Sequence, residues 1–271
     1  MSELKVNSIK GVSASSAAIS INNTDGTCTA NLTNRTNKNL VINGDFRIAQ
    51  RATSSTTSGI ATVDRFGMYH TGVDEAPTQA QGSVTSGGAY DSGFRNCLKV
   101  TNGNQTSGGG SAKYIWIQSL FEAQDIANSG WNYTSTSSFI TVQFWVKSSV
   151  AQNFYGYVRT VDGSNYLYPF ETGSLSANTW TKVTKTIPGN SNLTFDNDTG
   201  HGFQINIFPY LGTGYTGSIS LNTWSAYNSS VRVPDYTATW YTTDDATFEL
   251  TGVQIEVSDH ATSFQFRSYA E

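Results

Sequence analysis

Phe139-Ile140-Thr141-Val142-Gln143-Phe144-Trp145-Val146-Lys147 is the stretch from which the fold of this chain can be read. Ile140, Val142, Phe144 and Val146 occupy every second position, with Thr141, Gln143, Trp145 and Lys147 between them. Successive side chains of a strand point to opposite faces, so the alternation describes a β-strand with one apolar and one polar face. A helix groups residues three and four apart and would mix the two sets.

Working outward, residues 95–100, 113–118, 153–161, 181–187, 202–208 and 247–257 also predict strands. Leu40-Val41-Ile42 predicts a shorter strand that ends at the turn-prone Asn43-Gly44-Asp45. Residues 51–60 and 101–112 are rich in Gly, Ser and Thr and predict surface loops. Only residues 120–127, with Leu120, Phe121 and Ile126, suggest a short turn of helix. About eight or nine strands joined by polar turns, without alternating helices, predict an all-β fold: an antiparallel β-sandwich of jelly-roll type. No solenoid, propeller or heptad period is present, which argues against a β-helix enzyme.

Composition agrees. Hydrophobic residues are 37% of the 271, but 14 Phe, 14 Tyr and 6 Trp supply the area for a core. The remainder is dominated by Ser, Thr, Asn and Gly, which suit turns rather than helices. Residues 1–38 differ from residues 39–271 in lacking any aromatic side chain. They cannot build a core alone, so they are expected to form an extended N-terminal attachment and oligomerisation segment, ordered by neighbours, before a jelly-roll domain at 39–271.

A net charge of −4 without a Lys/Arg cluster excludes the basic footprint of a nucleic-acid binder. No stretch approaches the roughly 20 apolar residues of a membrane-spanning helix, so no membrane insertion is expected. The start, Met1-Ser2-Glu3-Leu4-Lys5, carries no apolar signal core, so synthesis in a host cytoplasm is expected. Cys28 and Cys97 are too few and too far apart for a disulfide framework or a zinc site, and predict free thiols. The Asn-x-Ser/Thr triplets at Asn31, Asn104 and Asn192 are what a Ser/Thr/Asn-rich chain produces by chance.

Several phrases are more specific. Leu40-Val41-Ile42-Asn43-Gly44-Asp45-Phe46, then Ala49-Gln50-Arg51 and Asp64-Arg65-Phe66, resemble the opening of a bacteriophage tail-fibre family of cyanophage and marine-phage type. Phe144-Trp145-Val146-Lys147-Ser148-Ser149 and Asn178-Thr179-Trp180 are similar to its middle. Leu250-Thr251-Gly252-Val253-Gln254-Ile255-Glu256-Val257, then Phe266-Arg267-Ser268-Tyr269, are similar to its close. That family continues past this point with an acidic-aromatic segment, whereas this sequence ends at Glu271. The resemblance implies a carbohydrate-binding-module-like jelly roll, a virion tail appendage, a homotrimer, and contacts with other tail or virion proteins through residues 1–38. It also implies a host surface polysaccharide or lipopolysaccharide as ligand. The alternatives are a virion spacer, adaptor or capsid decoration without a ligand, and a glycan-cleaving tailspike.

Strand parity nominates a sugar-binding face of Trp116, Gln118, Gln143, Trp145, Tyr155, Tyr157, Arg159, Gln204 and Asn206, with Tyr114 beside them. Rings stack on the C–H faces of sugars, while amides and guanidinium groups bond to hydroxyls. The competing use of such rings is packing beneath long loops or against a neighbouring subunit. Calcium, which takes several hard oxygen ligands, would be held by Asp45, Asp196, Asp198, Asp244 or Asp245; the competing use is the ordinary turn role of Asp. His70, His201 and His260 are scattered and no serine sits in a nucleophile elbow, so no enzyme and no other cofactor is expected.

Overall fold

The computed structural model describes residues 38–266 throughout and, before them, residues 6–10, 12, 19–21, 24 and 28–30. Contacts divide the chain into two units, Met1–Lys38 and Asn39–Glu271. In chain order the strands are β1 (Ser8–Ile9), β2 (Ile19–Ile21), β3 (Cys28–Ala30), β4 (Ser54–Ser55), β5 (Phe66–Thr71), β6 (Thr78–Ser83), β7 (Asn96–Thr101) and β8 (Tyr114–Glu122). They continue with β9 (Phe139–Ser148), β10 (Asn153–Thr160), β11 (Tyr166–Ser174), β12 (Thr181–Pro188), β13 (His201–Leu211), β14 (Ser225–Ala226) and β15 (Thr247–Val257). Three short helices intervene: α1 (Gly87–Asp91), α2 (Ala123–Ala127) and α3 (Thr239–Thr242).

The larger unit is an antiparallel β-sandwich of two six-stranded sheets. The first runs β14-β11-β10-β13-β8-β5 and the second β12-β9-β15-β7-β6-β4. The alternation of the opening stretch is realised: Ile140, Val142, Phe144 and Val146 are at most 1% exposed and lie in the core between the sheets. From the first sheet Phe154, Val158, Phe170, Phe203 and Ile205 face them. Ring contacts bridge the layers, Phe144 to Phe170 at 6.1 Å and Phe154 to Phe248 at 5.0 Å. Burying such rings removes large apolar areas from water, each worth on the order of 2–3 kcal/mol, which is how an aliphatic-poor chain holds two sheets together. Gly156 is required inside β10, because a Cβ there would meet the Phe170 ring at 2.7 Å.

Three expectations are corrected. Residues 40–42 form no strand: Leu40 N donates to Ile255 O at 2.8 Å, and the chain then turns over residues 42–45. Asn43 adopts φ 60°, and its amide donates to Ile48 O and Asp64 O while accepting from Ile48 N. The Asn-Gly-Asp-Phe phrase is thus a structural clamp, closed by Phe46, which is fully buried edge-on against Phe66 at 4.7 Å. Second, β8 continues through Leu120 to Glu122, and only Ala123–Ala127 is helical, because pairing with β13 carries the strand onward. Third, residues 51–60 contain the short edge strand β4, and Asn102 and Gln105 of the second loop are buried rather than superficial. Residues 1–38 were expected as an extended segment. Their described parts pair as a small antiparallel sheet, β1-β2-β3, with Ile9 opposite Ile19 and Ile21 opposite Cys28. Of the described residues there, Val6, Ile9 and Val12 are exposed.

Candidate functional site

The outward side chains of the first sheet form one continuous surface. Register places Gln118 opposite Asn206 and Asn206 opposite Tyr157, with Arg159 opposite Gln204 one step along and Trp116 opposite Tyr69 at the other side. Seven of the nominated residues therefore share a face: Trp116, Gln118, Tyr155, Tyr157, Arg159, Gln204 and Asn206.

Half of this face is roofed. The connection at residues 212–237 lays Tyr215, Leu221, Val233 and Tyr236 over Tyr155, Tyr157 and Phe208. Tyr155 is 9% and Tyr157 2% exposed, so neither offers a ring to a ligand, and burial pushes the Tyr157 hydroxyl up to about 12. Those two rings were expected at an open surface. Period-2 parity gave their face correctly and could not show the loop that returns over it.

Beyond the roof lies a polar strip. Gln118 Nε2 donates to Asn206 Oδ1 at 3.0 Å, and Gln204 Nε2 makes a long contact of 3.5 Å with the Tyr157 hydroxyl. Gln204 and Asn206 form a buried floor, while Trp116, Gln118 and Arg159 are half-buried at the rim. Trp116 is held by Tyr114, stacked at 3.9 Å. Three donors of the strip, Trp116 Nε1, Arg159 Nε and Asn206 Nδ2, are buried and have no hydrogen-bond partner in the protein. A buried donor without a partner costs about 1–3 kcal/mol, so such groups are normally satisfied. Two residues absent from the sequence-based set complete the rim. Tyr227 lies 3.6 Å beneath the Arg159 guanidinium, and Arg232 stacks 4.7 Å from Tyr215 and 5.5 Å from Trp116. Both come from the roofing loop, where no periodicity marks which side chains turn inward.

Gln143 and Trp145 do not belong to this site. They lie on β9, at the outer face of the second sheet, because alternation along one strand does not reveal which sheet that strand joins. Residues 258–266 strap that face. Thr141 Oγ1 donates to Ser258 O at 2.9 Å and Gln143 Nε2 to Thr262 O at 2.8 Å. The buried Glu256 carboxylate accepts from Thr262 N, Thr262 Oγ1 and Gln254 Nε2, and Gln265 N donates to Gln254 Oε1. A cleft of about 330 Å³ remains beside the strap, lined by Phe94, Gln143, Trp145, Lys182, Phe264 and Phe266 among others. Below it Cys97 is a buried free thiol 3.8 Å from Glu249, which pairs with Lys147 at 2.8 Å; burial raises the thiol to about 12. The side chain of Cys28 lies outside the described residues.

The calcium candidates are dispersed. Asp45 pairs with Arg47 at 2.8 Å, Asp198 Oδ1 accepts from Gly200 N, and Asp245 occupies a turn at φ 54°. Asp162 is raised above the usual carboxylate range, chiefly by burial and further by Asp196 and Asp198. Among the described residues no three His, Cys, Asp or Glu side chains converge.

No family model and no curated protein matches the chain. Among solved structures it is similar to the enzymatically active domain of tailspike protein 4 of bacteriophage CBA120, at 9% identity and TM-score 0.41, covering 82% of this chain and 22% of that one. It is also similar to a putative sugar binding protein from Bacteroides thetaiotaomicron, at 11% identity and TM-score 0.43, covering 81% and 100%. A third is the N-terminal cellulose-binding domain of Cellulomonas fimi β-1,4-glucanase C, at 12% identity and TM-score 0.40, covering 79% and 100%.

Proposed function

We propose that the polar strip of the first sheet binds a glycan and that the chain is an adhesion subunit of a phage tail appendage. The observation that carries the binding half is the set of partnerless donors at Trp116, Arg159 and Asn206, concentrated beside a half-open indole ring. A sugar would supply hydroxyl oxygens to those donors and a C–H face to the Trp116 edge. The virion half rests on the sequence phrases of the phage tail-fibre family, and residues 1–38 would then join the subunit to its copies, as a trimer, and to the particle. Multivalency would turn weak single-site binding into firm attachment. In this reading the strip binds and does not cleave, and His201, at the start of β13, interacts electrostatically with Arg159 and Asp162.

The test is binding of the full chain to an array of bacterial surface polysaccharides and lipopolysaccharides. Trp116→Ala and Gln118→Ala should each lower the retained signal by about tenfold or more, as expected when one stacking or charge-free polar contact is lost from a small site. Binding undiminished in both variants would move the site elsewhere. Failure to bind any glycan would leave a passive virion subunit, whose tyrosines serve only to seat the loop.

A further inference from the structure

We infer that the ligand of the polar strip carries an anionic group, a carboxylate or sulfate on the sugar, held between Arg159 and Arg232. This inference rests on the glycan reading of the same strip.

The first ground is charge. Ion pairs among the described residues use Arg47, Arg51, Lys113, Lys147 and His260, and neither Arg159 nor Arg232 has a carboxylate partner. The carboxylates of this end of the sheet bond elsewhere: Asp162 Oδ2 accepts from Asp196 N at 3.0 Å, Glu171 accepts from Asn153 Nδ2 at 2.8 Å, and Asp235 bonds Thr216. Both guanidinium groups are instead held by the same ring, with Tyr227 at 3.6 Å from Arg159 and 5.8 Å from Arg232. With its amide turned so that both its atoms are satisfied, Asn165 steadies Arg159 further, its oxygen accepting from Nη2 at 2.9 Å while its nitrogen donates to Val161 O. Stacking and a carbonyl contact fix the orientation of a guanidinium without neutralising it.

The second ground is polarity. Every partnerless atom of the strip is a donor: Arg159 Nε, Asn206 Nδ2 and Trp116 Nε1. Asn206 is 1% exposed, so its unmet N–H is part of the floor and not a solvent-facing group. A sugar hydroxyl brings a hydrogen of its own that must also be placed. A carboxylate or sulfate only accepts, and matches a donor-only site. The third ground is the rest of the molecule. The chain carries net charge −4, so it attracts polyanions through no general field, and two unpaired cations on one face are a local device.

The experiment measures full-chain binding to matched polymers: polygalacturonate and alginate against their carboxyl-reduced forms, and carrageenan against its desulfated form. The expected result is at least about tenfold tighter binding to one acidic polymer than to its neutral counterpart, with a preference that weakens as salt is raised from about 0.05 to 0.5 M. Which pair shows the difference identifies the anion. Arg159→Gln with Arg232→Gln should erase the preference, and Arg159→Lys should retain part of it, with thermal melts checking that the roof remains seated. Equal binding to acidic and neutral forms, or a preference undiminished in the double glutamine variant, overturns the anion assignment and leaves the glycan reading standing. Absence of binding to every polymer here and to the surface-glycan array overturns both.

Discussion

The two sheets have the same number of strands and the same kind of covered outer face, yet they use their polar groups oppositely. On the second sheet, Gln143, Gln254, Glu256 and Thr141 each meet a partner on the strap at residues 258–266. On the first, the cover at residues 212–237 seats itself through Tyr215, Leu221, Val233 and Tyr236, and the polar residues left outside it keep unmet donors. Of the six buried side-chain atoms without a partner among the described residues, Trp116, Arg159, Asn206, Ser225 and Tyr236 belong to the first sheet or its roof, leaving only Gln152 elsewhere. One face spends its hydrogen bonds on closure; the other withholds them. Unmet donors are tolerated where something else is to meet them, which is why the first face and not the second is assigned to a ligand.

The comparison can be broken most forcefully at Glu256. Glu256→Ala strands three donors beneath the strap, and is expected to cost about 3 kcal/mol and lower Tm by on the order of 10 °C, read by calorimetry, with glycan binding at low temperature unchanged. Asn206→Ala sharpens the same contrast from the other side. It removes an amide already short of one partner, so stability should fall by about 1 kcal/mol or less while polysaccharide binding is lost. A large fall in Tm for Asn206→Ala, matching that of Glu256→Ala, would make the strip structural. The smallest perturbation reads the closure of the second face. In a Cys28→Ser background, Cys97 should react with maleimide at pH 8 about a thousandfold more slowly in the native chain than in urea, because burial holds it protonated. Rapid native labelling would show that the strap opens.

The sandwich was legible because β9 and β15 alternate or run apolar over their whole length; residues 247–257 were bounded correctly at both ends. Strands β5, β6 and β11 escaped notice. Phe-Gly-Met-Tyr-His-Thr, Thr-Gln-Ala-Gln-Gly-Ser and a segment containing Pro169 carry glycine, polar or proline residues that only sheet partners make acceptable. The site was legible in its floor and part of its rim, since Gln204, Asn206, Gln118 and Arg159 follow from parity alone. Its walls were not: Tyr227 and Arg232 come from an aperiodic loop. The separation of Trp145 from Trp116 depends on strand order between sheets, which is a long-range property.

Asn39 N lies 2.9 Å from Gln265 Oε1, although 226 positions separate them, and Leu40 is tied to Ile255 beside this seam. The sandwich thus opens and closes at one spot. It could be spliced into a surface loop of an unrelated protein, or cut and rejoined elsewhere on its circumference, without displacing a strand. If the sandwich is pulled by those same two points, the load runs through a few backbone and amide side-chain hydrogen bonds beside β15 of the second sheet. The seam would peel there first, and the polar strip on the other sheet would stay out of the line of force.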